Sequence, residues 1–219
     1  YPDDPSVFII ADGMGGHNAG EIASRTSVDH IGNVILEAPG LISKSPDLTE
    51  TVRSLIMEAN QVVFEKSLEL PENNGMGTTL ILAVITGKKM YIGHVGDSRL
   101  YLIRNDKIEQ ITTDHSYIEE LIRNGSLTRA EAENHPKRHV ITRALGCSTE
   151  LEIDTYECSL ESGDAIVMCT DGLTNMVDEE EIKTSVVGNT PAKACEELVA
   201  HAIRSGGDDN ITVIVIKNE

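Results

Sequence analysis

Apolar residues fall in short unbroken blocks separated by glycine-rich or charged punctuation, and that rhythm predicts the elements. Val7-Phe8-Ile9-Ile10-Ala11 reads as a short buried strand running into the loop Asp12-Gly13-Met14-Gly15-Gly16. A helix is predicted from about Ala19, with Ile22, Ala23 and Thr26 at helical spacing. A second helix fits Leu48 to Leu68, where Val52, Leu55, Ile56, Ala59, Val62 and Val63 form an apolar stripe, and Asn73 to Gly75 break the chain. Three strand patterns follow: Thr78 to Thr86, Lys89 to Val95 and Arg99 to Arg104. Gly87-Lys88 and Gly96-Asp97-Ser98 read as the turns of a meander, which Asp106 to Ile111 extends as a hairpin. Residues 115–135 predict two short helices, with Leu127-Thr128-Arg129-Ala130-Glu131 as a capped start. A strand over 165–170 ends at Asp171-Gly172, helices follow near 178–187 and 191–204, and Ile211 to Ile216 is a last strand. Strands cluster instead of alternating strictly with helices, so the pattern favours α+β over a doubly wound sheet.

Composition narrows the function classes. The 219 residues suit one domain or a tight pair with a substantial core. That core is aliphatic, because the chain holds two Phe, five Tyr and no Trp. The net charge of −18 argues against binding the phosphate backbone of nucleic acid or an anionic membrane surface. Leu80 to Ile85 is the longest purely apolar run and is far too short to cross a bilayer. The first five residues hold two Pro and two Asp, unlike a signal peptide. The chain opens on Tyr1 without a Met, so upstream sequence is expected. Cys147, Cys158, Cys169 and Cys195 form no CxxC pair, which disfavours a cysteine zinc site and suggests a reducing, cytoplasmic compartment.

Three stretches share one local arrangement. Val7–Ala11 runs into Asp12-Gly13, Ala165–Thr170 runs into Asp171-Gly172, and Asp209-Asn210 leads into Ile211–Ile216. A carboxylate at a strand terminus sits on a rigid frame at a sheet edge open to ligands, and a following glycine lets the backbone bend. Taken singly, each Asp is an ordinary turn residue; the recurrence at three separated positions favours chemistry. The three meet only if their strands are neighbours. If they meet, their charges repel, and two divalent cations would balance them. Hard oxygen ligands suit Mg²⁺ or Mn²⁺ over Zn²⁺. Two such ions, roughly 3.5–4 Å apart, sharpen water into a nucleophile and suit in-line attack on phosphorus.

Other signals are weaker. Asp97 is either a hairpin-turn residue or a fourth ligand, and Arg99 either binds phosphate or braces Asp97. A dinucleotide fingerprint fails because its third glycine would fall at Asn18. His135 and His139 are four apart, but Pro136 between them makes a shared helical face, and so a zinc pair, a poor reading. Arg138 and Arg143 belong to a basic flap near an anionic substrate, or to plain surface.

Seven ordered motifs carry a family resemblance across nearly the whole chain. They are Asp12-Gly13-Met14-Gly15-Gly16-His17-Asn18-Ala19-Gly20-Glu21, Gly77-Thr78-Thr79, Gly96-Asp97-Ser98-Arg99, Thr113-Asp114-His115-Ser116, His139 to Gly146, Thr170-Asp171-Gly172-Leu173 and Asp209-Asn210-Ile211-Thr212-Val213. Together they resemble the bacterial branch of the type 2C metal-dependent (PPM) protein serine/threonine phosphatases. The resemblance implies a four-layer α-β-β-α sandwich of two mainly antiparallel sheets flanked by helices. It implies one such domain over residues 1–219, with a flap over about 115–146. It implies a binuclear Mn²⁺ or Mg²⁺ centre in which Asp12 bridges both ions, the Gly13 carbonyl binds one, and Asp171 and Asp209 complete the pair. Asp97 would help hold a third ion. The implied reaction is hydrolysis of phosphoserine and phosphothreonine by metal-bridging hydroxide, with no covalent phosphoenzyme. The implied setting is cytoplasmic signalling by a monomer that acts on phosphorylated Ser/Thr proteins opposite a Ser/Thr kinase.

Two departures qualify the resemblance. The family's first strand, with its phosphate-gripping Arg, is missing before Asp12, and truncation is the expected cause. Met14 stands where many eukaryotic members have a proposed acid His. Methionine transfers no protons, so the proton donor is left open, with His17 as a stand-in or a mere helix-start residue. The alternatives are a catalytically impaired phosphatase-like binding or regulatory module, and a small-molecule phosphohydrolase.

Overall fold

The computed structural model describes residues 5–15, 19–69, 71–73, 75–132 and 135–218. Its strands are β1 (Ser6–Ile10), β2 (Gly13–Met14), β3 (Gly77–Thr78), β4 (Leu80–Thr86), β5 (Lys89–Val95), β6 (Arg99–Arg104), β7 (Lys107–Gln110), β8 (Asp154–Ser159), β9 (Ala165–Cys169) and β10 (Val213–Lys217). Its helices are α1 (Ala19–Glu37), α2 (Gly40–Ser43), α3 (Leu48–Ser67), α4 (Tyr117–Arg123), α5 (Arg129–Ala132), α6 (Asp171–Thr174), α7 (Glu179–Val187) and α8 (Pro191–Arg204). Two four-stranded antiparallel sheets are formed, ordered β1-β4-β5-β8 and β10-β9-β6-β7.

The unbroken apolar blocks are explained by layering. Side chains alternate across a strand, and both faces of the central strands are covered. Leu80, Leu82 and Val84 of β4 pack under α1 and α3 with Ile31, Val52, Leu55 and Ile56. Ile81 and Ala83, one residue out of phase, face Leu100, Leu102, Ile166 and Met168 of the other sheet. Val167 and Cys169 of β9 point away from that interface onto Leu173, Ile182, Val186 and Leu198. Three apolar layers therefore separate helices, sheet, sheet and helices, the four-layer sandwich expected.

Helix starts follow their caps. Asp47 accepts the Glu50 N–H ahead of α3, and Asp178 and Glu181 form a reciprocal capping box at α7. Thr128 and Glu131 bond reciprocally at the start of α5, as their spacing suggests.

The meander is only half right. β4 and β5 are hairpin neighbours, but β6 crosses to the second sheet and pairs with β9 and β7. Both edges of β5 are already taken, by β4 and β8, so β6 has no hydrogen-bonding edge left there. β8 is the strand the apolar pattern misses, because Asp154–Ser159 is polar and half-exposed at a sheet edge.

Candidate functional site

The strand ends that carry the acids collect at one end of the sandwich. Asp12 follows β1. Its N–H donates to Thr79 Oγ1 at 3.0 Å, and its carbonyl accepts from Thr78 Oγ1 and the Thr79 N–H at 2.9 and 2.8 Å. Gly13 is pressed so closely on Gly20 at the start of α1 that a Cβ would lie 1.9 Å from the Gly20 carbonyl oxygen. In the second sheet, Asp171 follows β9 as the first residue of α6, and Asp209 precedes β10. β9 and β10 are antiparallel neighbours, so the end of one lies beside the start of the other. Gly172 makes this approach possible: a Cβ there would meet the Asn210 carbonyl oxygen at 2.2 Å.

Electrostatics tie the two sheets' acids together. Burial, then the charges of Asp171 and Asp209, push Asp12 up to about 7. Burial, then the charge of Asp209, raises Asp171. Asp97, between β5 and β6, is pushed up to about 7 by burial, with Asp171, Asp114 and Asp12 adding to the shift. Asp97 is therefore no hairpin residue. It sits on the crossover between sheets, within the field of the other acids. Among the described residues, no three His, Cys, Asp or Glu side chains already close round a single point. The acids converge from separate strand ends and stop short of contact as a trio.

Arg99 and Arg143 are ion-paired. Arg99 lines the cleft and braces Asp114, not Asp97. Its Nε and terminal nitrogen hold Asp114 at 2.9 and 2.7 Å, and the Tyr101 hydroxyl accepts a further bond at 3.2 Å. Arg143 holds Asp154 and Glu152 at 3.0 and 2.9 Å. Arg138 and His139 do line the flap side of a cleft of about 740 Å³, opposite Gly172, Asn175 and Asp209. His17 lies outside the described residues. Thr79 and His115 enter the sequence reading only through the resemblance, because a threonine hydroxyl or a buried histidine in a loop carries no pattern of its own.

The donor set fits hard divalent cations. The acids offer carboxylate oxygens with no thiolate among them, and their mutual repulsion is the kind that a bound cation relieves. Gly13 and Gly172 keep the backbone close enough to bring the acids together without side-chain bulk in between.

Comparison with known proteins agrees with this architecture. A family model described as protein phosphatase 2C matches residues 2–202. The serine/threonine phosphatase stp of Listeria monocytogenes is 35% identical over 218 residues, 99% of this chain and 86% of that protein. The crystal structure of Stp1 from Staphylococcus aureus superposes with a TM-score of 0.92 at 35% identity, covering 98% of this chain and 84% of that one. The catalytic domain of the phosphatase PstP, solved in complex with 2 manganese ions, superposes at 0.84 with 32% identity, covering 97% of this chain and 90% of that one. The sandwich is that of the bacterial PPM phosphatases, a metal-dependent class. The chain belongs to the protein phosphatase 2C family.

Proposed function

We propose that the protein is a metal-dependent protein phosphatase that hydrolyses phosphoserine and phosphothreonine. The observation that carries the reading is the convergence of Asp12, Asp171 and Asp209 from two sheets onto one end of the sandwich, beside an open cleft. Asp12, the Gly13 carbonyl, Asp171 and Asp209 would hold two Mn²⁺ or Mg²⁺ ions, and Asp97 would hold a third. Such ions supply positive charge that lowers the pKa of bound water and offsets the charge of a phosphoryl group. The chain's own residues do the positioning. The Thr78 and Thr79 hydroxyls fix the Asp12 backbone, Asn175 donates to Asp171 at 3.1 Å, and Gly172 lets Asp209 approach.

Residues 1–219 form one phosphatase domain in this reading, and residues 115–146 form the flap that walls the cleft. Arg138 and His139 face the space where a phosphopeptide would lie. The substrates are phosphorylated Ser/Thr proteins, with an opposing Ser/Thr kinase, and the chain acts as a monomer. The four unpaired cysteines suit a reducing compartment, the cytoplasm. No described helix is long and apolar enough to cross a membrane.

The test is phosphate release from a phosphothreonine peptide in Mn²⁺, compared between wild type and Asp171→Ala. The expected loss is about a hundredfold or more, since a direct charge partner of the reacting centre is removed. Equal rates in the two proteins overturn the reading.

A further inference from the structure

His115 is almost completely buried, next to the crossover that carries Asp97. Two bonds join it to Gly96: its own N–H donates to the Gly96 carbonyl at 2.8 Å, and its Nδ1 accepts the Gly96 N–H at 3.0 Å. A ring nitrogen that accepts cannot carry the proton, so the neutral ring holds its hydrogen on Nε2. Asp154 Oδ2 and Arg143 Nη1 both lie 3.3 Å from Nε2; the guanidinium offers no acceptor and Nδ1 is already taken by the Gly96 N–H, so the Nε2 hydrogen is directed to Asp154. Asp154 is itself held by Arg143 at 3.0 Å, so the acceptor is fixed in place. Behind the ring, His94 stacks at 4.7 Å between centroids, fully buried with neither ring nitrogen partnered. Burial holds both histidines below their ordinary values, which agrees with two neutral rings.

The other side of the crossover is anchored separately. Ser98 Oγ meets Thr79 Oγ1 at 2.8 Å, and that same hydroxyl receives the Asp12 N–H. Asp97 therefore hangs between two fixed neighbours. Ser98 is tied to the Asp12 strand, and Gly96 is tied to His115. Gly96 takes a φ of +108° and lies against Thr79. His115 also accepts the Thr142 N–H at 2.8 Å through its carbonyl, and Ser116 bridges Ile141, so the ring sits at the root of the flap.

We propose that His115 is a positioning residue: its Nε2–H tautomer, set by Asp154, presents Nδ1 to the Gly96 amide and thereby fixes the direction in which Asp97 enters the acid cluster. The proposal rests on the reading of Asp97 as part of a metal centre. Groups standing behind metal ligands typically change metal affinity or activity about 10–100-fold when replaced.

Two isosteric replacements separate this role from mere packing. In His115→Asn the amide oxygen can reach the place of Nδ1, whereas in His115→Gln the amide reaches the place of Nε2 and leaves the Gly96 N–H without its acceptor. Three readouts are taken on the whole chain: Gly96 amide exchange by NMR in metal-free protein, calorimetric titration with Mn²⁺ alone, and kcat and KM on a phosphothreonine peptide. For His115→Gln the expected results are Gly96 exchange about tenfold faster, the weakest Mn²⁺ step weakened about tenfold, and kcat reduced with KM nearly unchanged. His115→Asn is expected to stay close to wild type in all three. Gly96 exchange unchanged in His115→Gln, or Asn and Gln variants that behave alike, overturns the proposal. A wild type that takes up no Mn²⁺ overturns it from the metal side, and the metal-free exchange experiment keeps that failure distinct.

Discussion

Strand β9 carries an aspartate at each end, and the two are treated oppositely. Asp164 precedes the strand and is buried, yet it is fully partnered. Arg104 holds it at 2.8 and 2.6 Å, and its carboxylate accepts the Glu161 N–H at 2.7 Å. The Arg104 bond leads in holding its pKa below the ordinary value. Asp171, seven residues on, is less buried, but it faces Asp12 and Asp209 and its pKa is raised, by burial first. One end of the strand satisfies its charge locally and serves the fold. The other leaves like charges facing one another, an arrangement that costs stability and makes sense only where something else supplies positive charge.

The sharpest way to break this contrast is to exchange the consequences. Asp171→Ala is expected to lose about a hundredfold or more of phosphate release while its melting temperature in chelator stays level or rises, since repulsion is relieved. Asp164→Ala is expected to do the reverse, lowering the melting temperature by about 5 °C with kcat within about twofold. Activity lost equally in both, or stability lost equally in both, would erase the distinction between the two ends. A second measurement adds the missing charge. Millimolar Mn²⁺ should raise the melting temperature by about 5 °C over chelator, because it binds the native cluster and scarcely the unfolded chain. A melt that is identical in both solutions counts against a metal centre.

The smallest effect is the dependence on pH. Ordinary carboxyls titrate at 3.8, whereas Asp12 and Asp97 keep their protons up to about 7. Between those values the native state binds more protons than the unfolded chain, so their contribution to stability is lost as pH rises from about 4 to about 7. Asp164 has the opposite sign: its contribution is present at neutral pH and lost on acidification below the ordinary carboxyl range. In chelator, the denaturation midpoint of Asp97→Asn should therefore vary less between about pH 5 and about pH 7 than that of wild type. Parallel profiles would remove Asp97 from the cluster.

The comparison also marks how far the sequence could be read. β5 and β6 are found with their boundaries intact, because Lys89–Val95 and Arg99–Arg104 are apolar runs closed by glycine or charge. α1 and α3 are equally plain, as buried positions recur every three or four residues. β8 is hidden because an edge strand with exposed residues carries no apolar signal. The short helix α6 is hidden because Asp171-Gly172 reads as a turn in isolation. Among the candidate site residues, Asp12, Asp171 and Asp209 are legible as strand-end acids. Arg99 misleads in one respect: its spacing next to Asp97 suggests a brace, and its observed partner is Asp114, fifteen residues away.

The sequence by itself determined the local quantities: which blocks are strands, where helices begin, which acids sit at strand ends, and a charge balance unsuited to nucleic acid. Those follow from side-chain size, periodicity and capping, which act over a few residues. The tertiary structure alone decided which sheet β6 joins, which acids are partnered by arginine and which face each other, and that a buried histidine holds the Asp97 crossover. These depend on hydrogen-bonding edges and charges contributed by segments far apart in the chain, and no local pattern encodes who the partner will be.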